Sequence, residues 1–587
     1  MKKIITAFHI LFVAGLSFAQ TTPSTTENYI YTKNCLDGDC IKKSESVQYF
    51  DGLGRPIQSV AIKATPLGRD VVVPIEYDAK GRQAKSYLPV PQPGTANGAI
   101  YTNPLANAPS AGYGSEKIYA EKRYDDLFTT RVSQVVPAGT AWSQKPANMA
   151  YGTNAAGEVK KYGITTTWIE GRTNSGISLS GSYAANQLMK TSVADPDGNI
   201  TTEFKNGKGQ TLLVRKNDGT QNVDTYYLHN EYGQLVYVIP PLAVGTSAPD
   251  QAMLDKLCYQ YRYDGLGRLV EKKVPGKGWE YMLYDQQDRL VATQDANLRM
   301  KGQWLYTKYD SFGRVVFTGV FSGGERSLEQ ANAEAYGSNN VSRTSSVFFN
   351  REGMDVYYDP NGTYPVEGWV KLLSVNYYDT YPSYSFNPAF PSTLLGQAVI
   401  TDTQNAPVNT QAMPTLSLIK NIEDDNWTKN YVYYDKKGRA IGTYSINHLG
   451  GTTRTESELD FAGMAKQTKV YHKRLATDTE KVISQSFDFD NQNRVTKHRH
   501  QVDSGPVELL TENTYNELSQ LSNKKVGGGL QSIDYQYDIR GALTKINDPA
   551  VLGTKLFGYE LKYFNPQNTT QGSTGKYNGN ITEVTSK

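Results

Sequence analysis

Apolar and polar residues alternate one by one through short stretches of this chain, and the stretches recur. Tyr259, Tyr261 and Tyr263 are separated by polar residues, as are Phe487 and Phe489, and Ile533, Tyr535 and Tyr537. A period of two places such side chains on one face of a strand. Each stretch runs into a cluster of turn-forming residues. Beyond the clusters lie β-branched or aromatic runs such as Val315-Val316-Phe317 and Ile441-Gly442-Thr443-Tyr444. The pattern predicts strand, tight turn, strand, many times over, and one short helix over Leu328 to Ala335.

The turn clusters are themselves a repeat: aromatic-Asp-x-x-Gly-Arg. Five copies are clean, with Asp51, Gly54 and Arg55 in the first and Asp78, Gly81 and Arg82 in the second. The others carry Asp264, Gly267 and Arg268; Asp310, Gly313 and Arg314; and Asp435, Gly438 and Arg439. Looser copies start at Asn206, Asn230, Asp285, Asp460, Asp490, Asn516 and Asp538. Over these twelve the second position is always Asp or Asn. Either side chain caps the first corner of a type I turn. The fifth position is Gly except at Asp288, Asn493 and Ser519. A residue in left-handed conformation is needed there, which Gly tolerates best and Asn or Asp next best. The unit is therefore a hairpin turn closed by a glycine bulge, and Ser519 is the copy that fits least well. The Arg that follows is expected to pair with carboxylates or to stack on Tyr rings.

A lone hairpin is marginal in water, so the units must stack on one another. At about 25 residues they are too short for propeller blades, which need about 40. The fold class expected is all-β: stacked hairpins in a spiralling sheet that hides its edges by forming a hollow shell or part of one.

Composition sharpens this. Tyr is abundant, 42 copies against 18 Phe, and a Tyr suits a wall with one dry and one wet side. The 61 basic and 58 acidic residues leave a charge of +3, which gives no electrostatic reason to expect nucleic acid. Lys2 and Lys3, the apolar run Ile4 to Phe18 and the small residues Ser17 and Ala19 read as a signal peptide over 1–19. The run is too short to span a membrane comfortably, and no later stretch is apolar enough for a spanning helix. Export to an oxidising setting favours a disulfide between Cys35 and Cys40, which flank Leu-Asp-Gly-Asp. A metal site is the rival reading, although two thiols alone do not complete a tetrahedral shell. Cys258 reads as a buried free thiol.

These Tyr-Asp-x-x-Gly-Arg units resemble the tyrosine-aspartate repeats of bacterial Rhs proteins and of related teneurin and toxin-complex shells. Phe50 to Pro56 is similar to the opening of an uncharacterised domain that begins many exported Rhs-type proteins, and Leu373 to Tyr381 also resembles that group. The resemblance implies a hollow cocoon, secreted or held at a bacterial cell surface, that often encloses a C-terminal toxin released by self-cleavage. The Asp-Pro-x-Gly-Arg signature of the self-cleaving core is not found. Asp195-Pro196-Asp197-Gly198-Asn199 and Asp359-Pro360-Asn361-Gly362 come nearest, and both lack the Arg. Tyr577-Asn578-Gly579-Asn580-Ile581 resembles a stretch that relatives follow with more repeats, so the array is expected to continue beyond it in them.

The organisation expected is a signal over 1–19, a Thr-rich linker with the Cys loop over 20–45, and an N-terminal β domain over 46–190. Repeats follow over 191–320, an inter-repeat segment over 321–427, and further repeats over 428–587. Within the N-terminal domain, 91–190 shows no clear repeats and reads as irregular β-structure with long loops.

The search for chemistry returns little. His-Glu-x-x-His, the P-loop and Gly-x-Ser-x-Gly are all absent. His498 and His500 would share a strand face without a third ligand. Asp195, Asp197 and Asn199 resemble half a calcium loop but lack its spacing and terminal Glu, so an ordinary turn is the better reading. No catalytic, cofactor or metal residue is named. The function expected is a non-catalytic shell that encapsulates or presents a toxin, another effector or a partner chain. The alternative is a surface adhesin that binds glycans through exposed Tyr rows.

Overall fold

The computed structural model describes residues 23–24, 26–94, 96–126, 130–217, 219–570 and 572–587. The expected signal peptide lies outside them. Everything built on the alternating pattern is strand, and most strands fall into one large sheet and one small one of five strands, with four two-stranded ribbons beside them.

The small sheet is N-terminal and orders Asn28–Cys35, Lys43–Phe50, Pro56–Ile62, Val71–Pro74 and Val90–Pro91 side by side. Val47, Tyr49, Val60 and Val72 are fully buried between its faces and the loop carrying Ile100 and Tyr101. The expected linker over 20–45 is corrected here. From Asn28 onward the chain pairs residue for residue with the next strand. Its composition is polar, but Tyr29 and Tyr31, two apart, pack on that core and supply the dry face. Cys35 and Cys40 are disulfide-bonded across the end of this hairpin.

The large sheet has 29 strands. Antiparallel register runs unbroken from Lys85–Tyr87 through Tyr119–Tyr124, Val132–Val136 and Ala147–Thr153. From there it crosses to Met189–Ala194 and continues hairpin by hairpin to Glu583–Ser586. Such a wall twists as it grows, and it curls until late turns rest against the N-terminal sheet. Gln492 Nε2 donates to the Lys63 carbonyl at 3.2 Å, and Leu518 and Ile539 pack against Val90, Ala108, Tyr113 and Ile118.

Two interruptions expected from the sequence are also corrected. Residues 91–190 contain three wall strands, two of which, Tyr119–Tyr124 and Val132–Val136, pair as one more hairpin. Asp125 N–H donates to the Arg131 carbonyl, with a bulge before Tyr124. The spacing differs from that of the other turns, so a fixed pattern does not find it. Likewise 321–427 does not break the wall. Strand Val315–Ser322 pairs with Trp369–Tyr378, which pairs with Pro414–Lys420. The intervening chain leaves the sheet and returns to it.

What leaves the sheet covers one of its faces. The hairpin of Lys160–Ile169 and Arg172–Ser182 packs Tyr162, Ile164 and Ile177 against Phe204, Leu213 and Tyr226. The excursion over 323–368 contains helix Arg326–Glu334 and lies over Trp304, Tyr306 and Phe317. The excursion over 380–413 brings Tyr381, Tyr384, Phe386 and Phe390 onto Tyr377 and Tyr433. Cross-strand register places Phe204, Leu213, Tyr226, Tyr306, Phe317, Tyr377 and Tyr433 on a single face. The three covers therefore line the same side of the wall.

Candidate functional site

The repeated turn is the most regular local structure in the molecule. In all twelve copies read from the sequence, the Asp or Asn N–H donates to the carbonyl four residues on. The residue three on donates back to the first carbonyl. That residue has positive φ throughout, from 59° at Asp288 and Asn493 to 93° at Gly463, and 65° at Ser519. The copy that fits the sequence argument least therefore adopts the same backbone.

In the five clean copies the carboxylate is a three-way bracket. One oxygen accepts the N–H two residues on, at 2.8–3.0 Å. The same oxygen accepts the Arg backbone N–H at 2.9–3.0 Å. The other oxygen accepts Arg Nε at 2.6–2.8 Å. In Asp51 and Asp78 the backbone N–H of Arg55 and of Arg82 is the main influence holding the carboxyl below its usual range. In Asp435 burial pushes upward, but the backbone and side chain of Arg439 outweigh it and the net shift is downward. Three copies keep the geometry without charge. Asn206 with Gln210, Asn230 with Gln234 and Asn516 with Gln520 each join Nδ2 to Oε1 at 2.8 Å.

The bracket also links each hairpin to the next. The guanidinium lies over the following unit's Tyr ring, 4.0–5.4 Å from its centre, in Arg55 on Tyr77, Arg82 on Tyr124, Arg268 on Tyr284, Arg289 on Tyr309, Arg314 on Tyr378 and Arg494 on Tyr515. The Tyr hydroxyl reaches back to the carbonyl just past the preceding turn, as Tyr77 does to Pro56, Tyr284 to Leu269, Tyr309 to Leu290, Tyr434 to Pro414 and Tyr515 to Val495, at 2.6–3.0 Å. Tyr, unlike Phe, has both a ring for the cation and a donor for the carbonyl. Arg therefore does both things expected of it, pairing within its own turn and stacking on the neighbour.

The turns at Asp195 and Asn447 have the same backbone bonds although the sequence pattern does not count them, and one further turn is divided. Asp379 N–H donates to Met413 O at 3.0 Å, Ala412 N–H to Asp379 Oδ1 at 2.7 Å, and Ala412 has φ 66°. Tyr378 receives Arg314 over its ring and donates to Val315 O at 3.0 Å. This is the same unit with residues 380–411 inserted between its second and fifth positions. The pair Tyr378-Asp379 was a legible signal, but its closing half lay more than thirty residues away.

Two polar posts fix the covers to the wall. Glu271, 2% exposed, accepts Arg262 from its own sheet at 2.8 Å, Arg326 from the helix at 3.1 Å and Arg172 from the covering hairpin at 2.5 Å. Lys308, 1% exposed, donates to Thr363 O, Thr363 Oγ1 and Pro365 O at 2.7–2.8 Å. Burial drives its ammonium pKa well below the usual value. Cys258 is buried, and burial raises its thiol to about 11, which removes it from nucleophilic duty at neutral pH. His498 stacks on Phe487 at 4.5 Å and meets Gln485 at 2.9 Å. Among the described residues no group of three His, Cys, Asp or Glu is placed to hold a metal ion, and no helix is long and apolar enough to cross a membrane.

Comparisons with known proteins bear on fold and on one domain. The structure is similar to the crystal structure of TcdB2-TccC3-Cdc42, with TM-score 0.42, 15% identity, and coverage of 94% of this chain and 24% of that one. It is similar to TcdB2-TccC3 without its hypervariable C-terminal region, at 0.35 and 12%, covering 95% and 25%. It is also similar to the Photorhabdus luminescens Tc holotoxin pore carrying a TccC3 mutation, at 0.34 and 14%, covering 91% and 27%. The chain spans about a quarter of the length of these proteins. At such TM-scores the fold rests on this chain's own strand register. No curated protein matches the sequence. Residues 22–154, which hold the small sheet and the first wall strands, match the family model described as a domain of unknown function, DUF6443.

Proposed function

We propose that this chain is an exported, non-catalytic wall of the Rhs, tyrosine-aspartate-repeat type, which encloses or presents another polypeptide. The observation that carries the reading is the ladder of Asp-Arg-Tyr brackets. It joins successive hairpins from Arg55 to Tyr124, from Arg268 to Tyr378 and again at Arg494 and Tyr515, and assigns the repeated polar residues a structural task. What remains is surface area and enclosed volume, with cover segments tied down on one face. The cargo, whether a toxin, another effector or a partner chain, follows from the family resemblance.

The glycan reading gains less support. It needs rows of Tyr with free ring faces and hydroxyls, and Tyr77, Tyr284, Tyr309, Tyr378 and Tyr515 engage both within the wall.

The test is the exported protein recovered from its own cells and medium, measured by intact mass and by small-angle scattering. A hollow particle with a protease-protected polypeptide inside is the expected outcome. A solid particle that binds glycan arrays saturably would replace the shell by the adhesin.

A further inference from the structure

The DUF6443 region touches the far end of the repeat array at successive points. Lys63 and Ala64 accept Gln492 and Arg494 from one turn, at 3.2 and 3.4 Å. Val90, Ala108, Tyr113 and Ile118 form an apolar seat for Leu518 from the next turn and Ile539 from the one after. At matching turn positions away from this seat, Leu53 and Leu266 are 80% and 74% exposed. The partial shielding of Leu518 is therefore a property of the seat and not of the turn.

Beyond Ile539 the contact becomes specific. Trp142, 4% exposed, closes the short helix Thr140–Trp142. Its ring is held edge-on by Phe564 at 4.8 Å and Tyr577 at 6.2 Å, and Arg540 lies over it at 4.7 Å. Its Nε1–H donates to the Tyr577 carbonyl at 2.9 Å. Gly139 makes the approach possible: a Cβ there would lie 2.5 Å from the Trp142 ring and 3.2 Å from Ile539.

The adjoining turn completes the grip. Asp197 accepts the backbone N–H groups of Tyr577 and Asn578, one on each oxygen, at 2.8 and 3.0 Å. Asp195 accepts Asn578 Nδ2 at 3.0 Å. Two backbone donors on one carboxylate make a strong, orientation-dependent contact. The partners lie 380 to 435 residues apart in sequence, so none of this serves local folding. Asp195 and Asp197, which resembled half a calcium loop, have a ligand within the chain.

We infer that the DUF6443 region, with the turn at Asp195–Asn199, is a clasp: it recognises the Tyr577-Asn578 segment and holds the coil of the wall that carries it against the first. Its geometry stands without the shell reading; its purpose, keeping an enclosed volume shut, rests on that reading. Trp142 supplies the apolar anchor and Asp197 reads the backbone. The segment is held by its main chain, one aromatic ring and one amide.

Hydrogen exchange on the full chain tests this, because local opening is read amide by amide. In Asp197→Ala the amides of Tyr577 and Asn578 are expected to exchange about tenfold faster or more, as loss of a charge-assisted bond predicts, with strands 452–502 unchanged. Asn578→Ala, which removes the Asp195 contact and the turn bond from Asn580 N–H but leaves both Asp197 bonds, is expected to give a smaller change at the same amides. Unchanged protection in Asp197→Ala overturns the clasp. So does a uniform rise across the wall in both variants, which would make these residues part of the general fold. A wall that scatters as a solid particle while the exchange pattern holds would remove the shell and leave the clasp.

Discussion

The wall between Tyr281 and Ile446 and the wall between Thr452 and Ile546 are made from the same hairpin, and they satisfy their faces in opposite ways. In the first, register places Tyr306, Phe317, Val375, Tyr377, Leu416 and Tyr431 on one face, all of them nearly inaccessible under the covers. In the second, the equivalent face carries Glu456, Lys469, Arg499 with Asp488, and Lys497 and Lys525 with Glu512. Among the described residues none from Ser457 to Ile546 is buried. The turns hardly differ between the two. A hairpin array can therefore hold its shape through turn brackets and backbone pairing, while the faces are free to become a core or to stay wet.

That contrast breaks most sharply in alkali. Burial pushes the phenol of Tyr434 up to about 12 and raises Tyr358, Tyr377 and Tyr431 as well. A raised folded pKa contributes stability that is complete below the unfolded value near 10 and lost as pH rises through the folded one. Between pH 10 and 12 the covered wall should lose most of its exchange protection. The bare wall, whose Tyr535 and Tyr537 are less enclosed, should lose less.

Next in size is the core itself. Phe317 is fully buried against Phe349, Tyr358 and Trp369. Phe317→Ala is expected to cost about 3–5 kcal/mol in denaturant unfolding. Phe487→Ala, in the bare wall, should cost about 1 kcal/mol. Equal losses would mean that the bare face is also covered in solution.

The bracket should matter about equally in both regions. Asp435→Ala strands two N–H groups and Arg439, at about 2–3 kcal/mol. The double change Asp435→Asn with Arg439→Gln should recover most of it, because Asn230 with Gln234 already folds that way. Since the Asp435 carboxyl is held below its usual range, its share of stability is present above the unfolded pKa near 4 and fades as pH falls through the lower folded value. Asp490→Ala in the bare wall should cost about the same, about 2–3 kcal/mol in denaturant unfolding.

Smallest is the response to salt. Arg499 with Asp488 and Lys525 with Glu512 are partly exposed, and such pairs contribute about 0.2–1 kcal/mol each. Raising ionic strength to about 1 M screens them. Thermal melts should shift slightly through the bare wall and not through the covered one.

The all-β hairpin array was legible because its signals are local. Alternation shows a strand in five residues, and Asp-x-x-Gly shows a turn in four. The Arg on Tyr stacking followed from charge and ring chemistry. What stayed out of sight depends on distance. Nothing beside Asp379 says that Ala412 closes its turn, and nothing beside Trp142 points to Tyr577. Strand Asn28–Cys35 was read as a linker because threonine and charge hid the spacing of Tyr29 and Tyr31. The covers could not be placed because a segment that lies on a sheet needs no period of its own.

The divided turn at Asp379 has a consequence for how such molecules change. Its two halves meet with the usual hydrogen bond and the usual neighbours on either side, although residues 380–411 pass out and back between them. The strand partners do not register the length of what is threaded through. Any hairpin tip in the array is then a docking port for foreign sequence, and new surface can be grafted there without renegotiating the scaffold that carries it.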